Sequence, residues 1–198
     1  MIAALLIAAG FGRRFDPTGR RSKLEAQLDG TMVAVRTARS LLGQCDRVLA
    51  CVRPAAAGLA QALAAEGCEI VAVAGEEGMG SSIAGGARRA AELPDLAALL
   101  VQPADMPWLS PGAVRTIVQA PRDRLIVLPT WQGRDGHPVR FDRSLLPELM
   151  ALNGDRGARQ LLLRHPPLRI ASDDDGVVRD VDTPADLAAA SSCSDPSA

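Results

Sequence analysis

The stretch Ile2-Ala3-Ala4-Leu5-Leu6-Ile7-Ala8-Ala9-Gly10-Phe11-Gly12-Arg13-Arg14 decides the fold. An unbroken apolar run of strand length, stopped by glycines, predicts a strand buried on both faces, since a strand with one wet face would alternate. The run also superficially resembles the core of a signal peptide, but no positive segment precedes it and it is far shorter than the ~20 residues a membrane span needs. In open α/β sheets ligands bind beyond the carboxyl ends of the strands. Gly10 and Gly12 therefore stand where a ligand is expected, with arginines directly behind them.

Working outward, the same pattern repeats. Arg47–Val52, Glu69–Val73, Ala97–Val101 and Leu125–Leu128 read as further buried strands. Between the strands, Met32–Leu42, Ala55–Glu66, Ser81–Leu93 and Pro111–Gln119 carry apolar residues at helical spacing. Pro54 and Pro111 suit first-turn positions, and Ser110 suits an N-cap. Alternating strands and helices imply right-handed crossovers and a Rossmann-like, three-layer α/β domain with a mostly parallel sheet. After Pro129 the alternation stops. Trp131–Phe141 reads as a glycine-crowded loop or hairpin, and Leu145–Leu152 and Gly157–Arg164 read as helices. Leu168–Ala171 and Val177–Val181 are expected to pair as a hairpin across Asp173-Asp174-Asp175-Gly176. A short helix over Thr183–Ala190, capped by Thr183 with Pro184 following, closes the chain. One domain over residues 1–190 and a disordered tail over 191–198 are expected.

Composition narrows the function. The chain has 198 residues and a formal net charge of -1, which argues against a surface devoted to nucleic acid or anionic lipid. Cys45, Cys51, Cys68 and Cys193 form no C-x-x-C pair, so free thiols in a reducing cytoplasm are expected. Of 22 basic residues one is a lysine, Lys23, leaving 21 arginines; tyrosine is absent and Asn153 is the one asparagine. A lysine that survives such a bias marks a place where a compact, flexible point charge is needed rather than a planar fork. Between Gly12 and Lys23 stand Arg13, Arg14, Arg20, Arg21 and Lys23 against Asp16, a local charge of +4. Two glycines that open the backbone to an anion, followed by that charge, point to a polyphosphate ligand. A plain tight turn and a solvated basic loop are the alternatives. The third glycine of a dinucleotide fingerprint is missing, because Phe15 stands there, and no P-loop Gly-Lys-Ser/Thr follows.

The fourth strand ends in Gln102-Pro103-Ala104-Asp105-Met106-Pro107. A carboxylate released there into the cleft can hold Mg²⁺, which takes one or two carboxylates plus substrate phosphates. Asp182, in Asp180-Val181-Asp182-Thr183-Pro184, is a second candidate, and alternation places Asp180 and Asp182 on one face. Either aspartate alone reads equally well as a turn or cap residue. Downstream, His137 reads as an acceptor contact or a loop-packing residue. His165 suits a helix end, and Trp108 and Trp131 suit packing.

Taken in order, Ala8-Ala9-Gly10-x-Gly12-x-Arg14, Lys23-Leu24, Gly78-Met79-Gly80-Ser81-Ser82, Asp105-Met106-Pro107, Gly136-His137-Pro138-Val139, Gly154-Asp155-x-Gly157-Ala158-Arg159 and Asp180-x-Asp182-Thr183-Pro184 resemble the MobA-like nucleotidyltransferases. Within them the likeness is greatest to the molybdenum cofactor cytidylyltransferases, and it runs from about Ala3 to Ala190. The resemblance implies a nucleotide-diphospho-sugar transferase-like fold. It also implies transfer of CMP from CTP to the terminal phosphate of a molybdopterin-type acceptor, with release of pyrophosphate. By that likeness Ala8, Ala9, Gly10, Gly12, Arg13 and Lys23 hold the nucleotide, with Gly78, Gly80, Ser81 and Ser82 near base and ribose. Lys23, Arg13 and Asp105 carry the catalysis, Asp105 and Asp182 hold Mg²⁺, and His137, Pro138, Asp155 and Arg159 face the acceptor. A recipient molybdoenzyme is the implied partner. Two features depart from the pattern: the longer loop from Phe15 to Ser22, and Pro103 ahead of the metal aspartate. Both bear on which acceptor is used. Three other readings remain. A guanylyltransferase of the same family tends to have Gly where Ala9 stands. A molybdopterin carrier without turnover would not need both aspartates, and a nicotinamide oxidoreductase would need the missing glycine.

Overall fold

The computed structural model describes residues 1–10, 12, 14–18, 21–74, 78–154 and 157–191. Its centre is strand β1, Ile2–Ala8, buried along nearly its whole length. Ala3, Leu5 and Ile7 enter one apolar cluster and Ala4, Leu6 and Ala8 the other. That two-sided burial is why the sequence shows no alternation there. β1 pairs in parallel with β4, Arg47–Val52, on one side and with β6, Ala98–Pro103, on the other. β4 in turn pairs in parallel with the edge strand β5, Glu69–Ala72. A short antiparallel pair, β2 (Gln27–Leu28) and β3 (Thr31–Met32), precedes the first helix.

Helices α1 (Val33–Leu41), α2 (Ala57–Ala65) and α4 (Pro111–Gln119) cover one face of the sheet. The other face is covered by α3 (Gly78–Ala91), α5 (Leu146–Met150) and α6 (Arg159–Arg164). The three-layer α/β expectation is met. Ser110 caps α4 as expected, its side chain accepting from the Ala113 N–H, with Pro111 in the first turn. Pro54 does not open α2; it sits in a turn closed by the Ala56 N–H on the Arg53 carbonyl, and the helix starts at Ala57.

The second half departs from simple winding. β7, Ile126–Trp131, turns through Gln132 and Gly133, both at positive φ, into the short strand β8, Arg134–Asp135. Two consecutive residues with positive φ make the tight hairpin that matches strand twist. β9, Val139–Asp142, then runs antiparallel between β6 and β7. The segment expected as a loop or hairpin therefore holds a tight hairpin and also a short central strand, in which Arg140 is buried between Val139 and Phe141. Arg140 is 2% exposed, and its guanidinium donates to the carbonyls of Ile117, Ala120 and Pro121 at the end of α4. A cation satisfying carbonyls left open at a helix C-terminus explains how a charge enters the core.

The hairpin expected between Leu168–Ala171 and Val177–Val181 does not form. β10, Leu168–Ala171, pairs in parallel with β7, completing the order β10-β7-β9-β6-β1-β4-β5 with β8 beside β7. The acidic turn is tied elsewhere: Asp174 accepts from Gly176 and from the Ser110 N–H, and Asp175–Val177 makes one 3₁₀ turn. The chain from Ser172 to Asp182 thereby becomes a strap across the carboxyl edge of the sheet. Val177 and Val181 are buried beneath it. Helix α7, Pro184–Ser191, follows, and its capping contacts run from Asp186, which accepts the N–H groups of Asp182 and Thr183 and the Thr183 hydroxyl. Arg13, Asp155 and residues 192–198, on which expectations were placed, lie outside the described residues.

Burial pushes the Cys45 and Cys51 thiols up to about 12 and Cys68 to about 11, leaving them protonated and unreactive. Among the described residues no helix is long and apolar enough to cross a membrane.

Candidate active site

The carboxyl ends of β1 and β6 are neighbours, with Ile7 opposite Pro103, so the glycine loop and Asp105 emerge side by side. Gly12 adopts φ +59°, and a Cβ there would lie 3.2 Å from Cγ of Lys23. The lysine stem therefore lies directly across the glycine. Its aim is set by its neighbour Leu24, which is 4% exposed in the core under α1. Described residues of the unusually long loop are tied to one another and to the core. The Asp16 carboxylate accepts from the N–H and hydroxyl of Thr18 and from the N–H of Arg21, while Phe15 packs on Val33 and Val181.

Lys23 is the hub. Its Nζ donates to Oδ2 of Asp105 at 2.6 Å and to the Val181 carbonyl at 3.0 Å, and it stands 3.6 Å from Oδ1 of Asp182. Arg14 pairs with the other oxygen of Asp182. Oδ1 of Asp105 is buried with no hydrogen-bond partner among the described residues. Asp105 and Asp182, far apart in sequence, are thus brought to one ammonium group. The strap does this: the Val181 N–H donates to the Asp105 carbonyl at 2.8 Å. Asp180 joins the cluster. Burial first, and then the charges of Asp105 and Asp182, raise its carboxyl above the usual aspartate range, with Lys23 opposing.

Two pockets open beside this cluster. One of about 290 Å³ is bounded by Asp105, Asp180, Met106, Gly136, His137 and Met79. The second, about 180 Å³, shares Met79, Pro103 and His137 and is otherwise apolar, with Arg159 in its wall. His137 and Arg159, singled out separately in the sequence, therefore line one pocket. Burial lowers the His137 pKa, opposed by a hydrogen bond to the Val101 backbone and by the Asp105 charge, and its Nδ1 is buried without a partner among the described residues. Pro138 is buried beside it. Gly136 is required by packing, since a Cβ there would lie 2.5 Å from the Val177 carbonyl oxygen.

The remaining expected residues divide. Ala8 and Ala9 are buried, so they can offer only backbone. A Cβ on Gly10 would meet nothing within 4 Å, so no protein packing demands glycine there. Helix α3 begins at Gly78, not Ser81, which places Gly78, Gly80, Ser81 and Ser82 in its first turns. Gly80 abuts the Asn153 and Gly154 carbonyls, and the Ser82 hydroxyl donates back to Gly78. Both are explained by packing. Arg14, Asp180 and Met79 belong to the site too; each stands in a sequence motif, but no role for its side chain is legible there. Arg14 lay within the basic loop and Asp180 beside Asp182, but nothing in the sequence marks the Val181 carbonyl.

A sheet carrying a basic glycine loop at one strand end, with one aspartate from the neighbouring strand end and a second from the strap beside it, is an arrangement suited to a nucleotide-transferring enzyme. The chain belongs to the MobA-like NTP transferase domain family, whose model matches residues 4–169, and it is a nucleotidyltransferase of that group. No curated protein sequence matches it significantly. The crystal structure of Rv0371c from Mycobacterium tuberculosis H37Rv is similar over 96% of each chain, at 26% identity and a TM-score of 0.80. Rv0371c has also been solved in complex with manganese, with 26% identity, a TM-score of 0.76 and coverage of 96% of this chain and 97% of that one. A nucleotidyl transferase from Methanothermobacter shares the fold, at 20% identity and a TM-score of 0.79 over 96% of this chain and 95% of its own.

Proposed function

We propose that this nucleotidyltransferase passes CMP from CTP to the terminal phosphate of a molybdopterin-type acceptor. The observation that carries the reading is the meeting of Asp105, Asp182 and Lys23 at the edge from which the glycine loop projects. An acceptor phosphate oxygen attacks the α-phosphorus; the new P–O bond forms as the bond to the β-phosphate oxygen breaks, and pyrophosphate leaves with that electron pair. A phosphate monoester is already largely ionised near pH 7, so the chain need supply no general base. Its work is positioning and charge neutralisation. Backbone N–H groups around Gly10 and Gly12 approach the triphosphate, and Lys23 with Arg13 neutralises the leaving pyrophosphate. His137 and Arg159 orient the acceptor, Arg159 by a bidentate grip on its phosphate.

The donor set also fits a divalent cation. Hard carboxylate oxygens converge from two distant segments, one buried oxygen of Asp105 has no partner among the described residues, and the cluster is already organised around a positive charge. Two carboxylates match what Mg²⁺ takes from a protein, an ion that leaves most positions to phosphates and water. Asp105 and Asp182 would hold it. When bound it would align the phosphates and offset the charge developing on them. The manganese complex of Rv0371c supports a divalent ion here.

Pure protein, Mg²⁺, the molybdenum cofactor and each nucleoside triphosphate in turn, with pyrophosphate followed, tests the reading. CTP is expected to be used with a clearly higher kcat/KM than GTP, as Ala9 in the first loop favours. Preference for GTP would move the chain to the guanylyl branch, and no pyrophosphate with any nucleotide would end the reading.

A further inference from the structure

Lys23 occupies a place that a divalent cation bridging the two aspartates would contest. Its ammonium has three N–H donors and three oxygens around it: Asp105 Oδ2 at 2.6 Å, the Val181 carbonyl at 3.0 Å and Asp182 Oδ1 at 3.6 Å. The side chain is only 13% exposed. Oδ1 of Asp105 faces no other donor among the described residues, but an ion held by both carboxylates would stand beside the ammonium they already share, and +2 beside +1 at close range is strongly repulsive in a partly desolvated site. The same lysine lies against the glycine loop, its Cγ 3.2 Å from where a Cβ on Gly12 would stand.

We infer that Lys23 holds the metal's place in the free protein and exchanges it for the substrate phosphates when the metal enters. This rests on the proposed metal site at Asp105 and Asp182. The exchange needs a stem that bends, which a four-carbon lysine has, and a compact charge that leaves no planar contact behind, which an arginine cannot offer. It needs a floor without a side chain, which Gly12 provides. It accounts for the one lysine retained in a chain with 21 arginines. It also couples the two ligands. Metal alone expels Lys23 without giving it a new partner, and nucleotide alone meets a lysine held by carboxylates, so each ligand binds better in the presence of the other.

Because Lys23 is the only lysine, an acylating reagent can label just two amines, Lys23 and the N-terminus, which peptide mapping separates. In the wild-type protein Lys23 is expected to label slowly. Saturating Mn²⁺ should speed it severalfold relative to the N-terminal amine, and CTP added with Mn²⁺ should slow it again. In parallel, Mn²⁺ titrated calorimetrically into Lys23→Met, checked for folding by circular dichroism, should bind about tenfold tighter than into wild type without nucleotide. A lysine that merely lends its field would stay in place, so unchanged labelling at saturating Mn²⁺ overturns the inference. Equal Mn²⁺ affinity in the folded variant overturns it as well. Binding of no metal by either protein, with or without CTP, overturns the two-aspartate metal site itself, whereas the cytidylyl-transfer reading stands or falls on pyrophosphate release.

Discussion

Lys23 was marked in the sequence by its rarity, and the structure places it at the centre of the acidic cluster. Lys23→Ala is expected to lower turnover roughly tenfold or more, about 1.4 kcal/mol in barrier, in a protein that remains folded. Steady-state kinetics with CTP checks this, and wild-type rates would refute it. Glycine reasoning was less even. Gly12 is needed for its left-handed conformation beneath the lysine, but Gly80 and Gly136 are needed because other backbone lies against them. A motif shows which glycines matter; only packing shows whether a ligand or the protein itself requires the missing side chain.

Elements legible from the sequence were those whose pattern answers to one neighbour layer. β1, β4, β6, α1 and α4 fall close to their expected limits. β9 is only four residues long, and Val139-Arg140-Phe141 alternates like a strand with one wet face; its arginine is buried because the end of α4 offers it carbonyls, which is why a central place in the sheet was not legible. Arg140→Ala would strand those carbonyls, a loss of about 3 kcal/mol, measured by urea unfolding. Arg140→Lys should recover less than half of it, since an ammonium cannot reach several carbonyls as a planar fork does. Helix α7 gives a pH-dependent case. The N–H groups of Thr183 and Asp182 and the Thr183 hydroxyl hold the Asp186 carboxyl below the usual aspartate range. A depressed folded pKa contributes stability above the unfolded value and loses it as pH falls through the folded one. Asp186→Ala should therefore cost about 1 kcal/mol near neutrality. The gap between variant and wild type should close below about pH 4 in thermal unfolding.

At the scale of the whole molecule, the strap decides function. The segments carrying Asp105, His137 and Asp182 each belong to a different part of the chain, and the Ser172–Asp182 path brings them together over one sheet edge. The two pockets share Met79, Pro103 and His137, so they adjoin, as the proposed nucleotide and acceptor halves require. His137→Ala and Arg159→Ala are expected to raise the acceptor KM or cut kcat, while CTP affinity stays nearly unchanged. A two-substrate kinetic matrix with CTP binding followed separately measures both. Loss of CTP affinity with the acceptor constants untouched would reverse the assignment of the two halves.

By itself the sequence determined the layered α/β architecture, the carboxyl edge as the site, and Lys23, Asp105 and Asp182 as residues to watch. Those follow from local rules: apolar periodicity, turn chemistry and the charge that a strand end releases. Tertiary structure alone decided that β10 runs parallel to β7 and that Arg140 is buried. It also decided that Asp180 and Asp182 arrive on a strap rather than a hairpin strand. The reason is the same in each case. These outcomes depend on hydrogen-bond partners supplied from far along the chain, Ser110 for Asp174, the end of α4 for Arg140 and Asp105 for Val181, and no local pattern encodes a partner more than a few residues away.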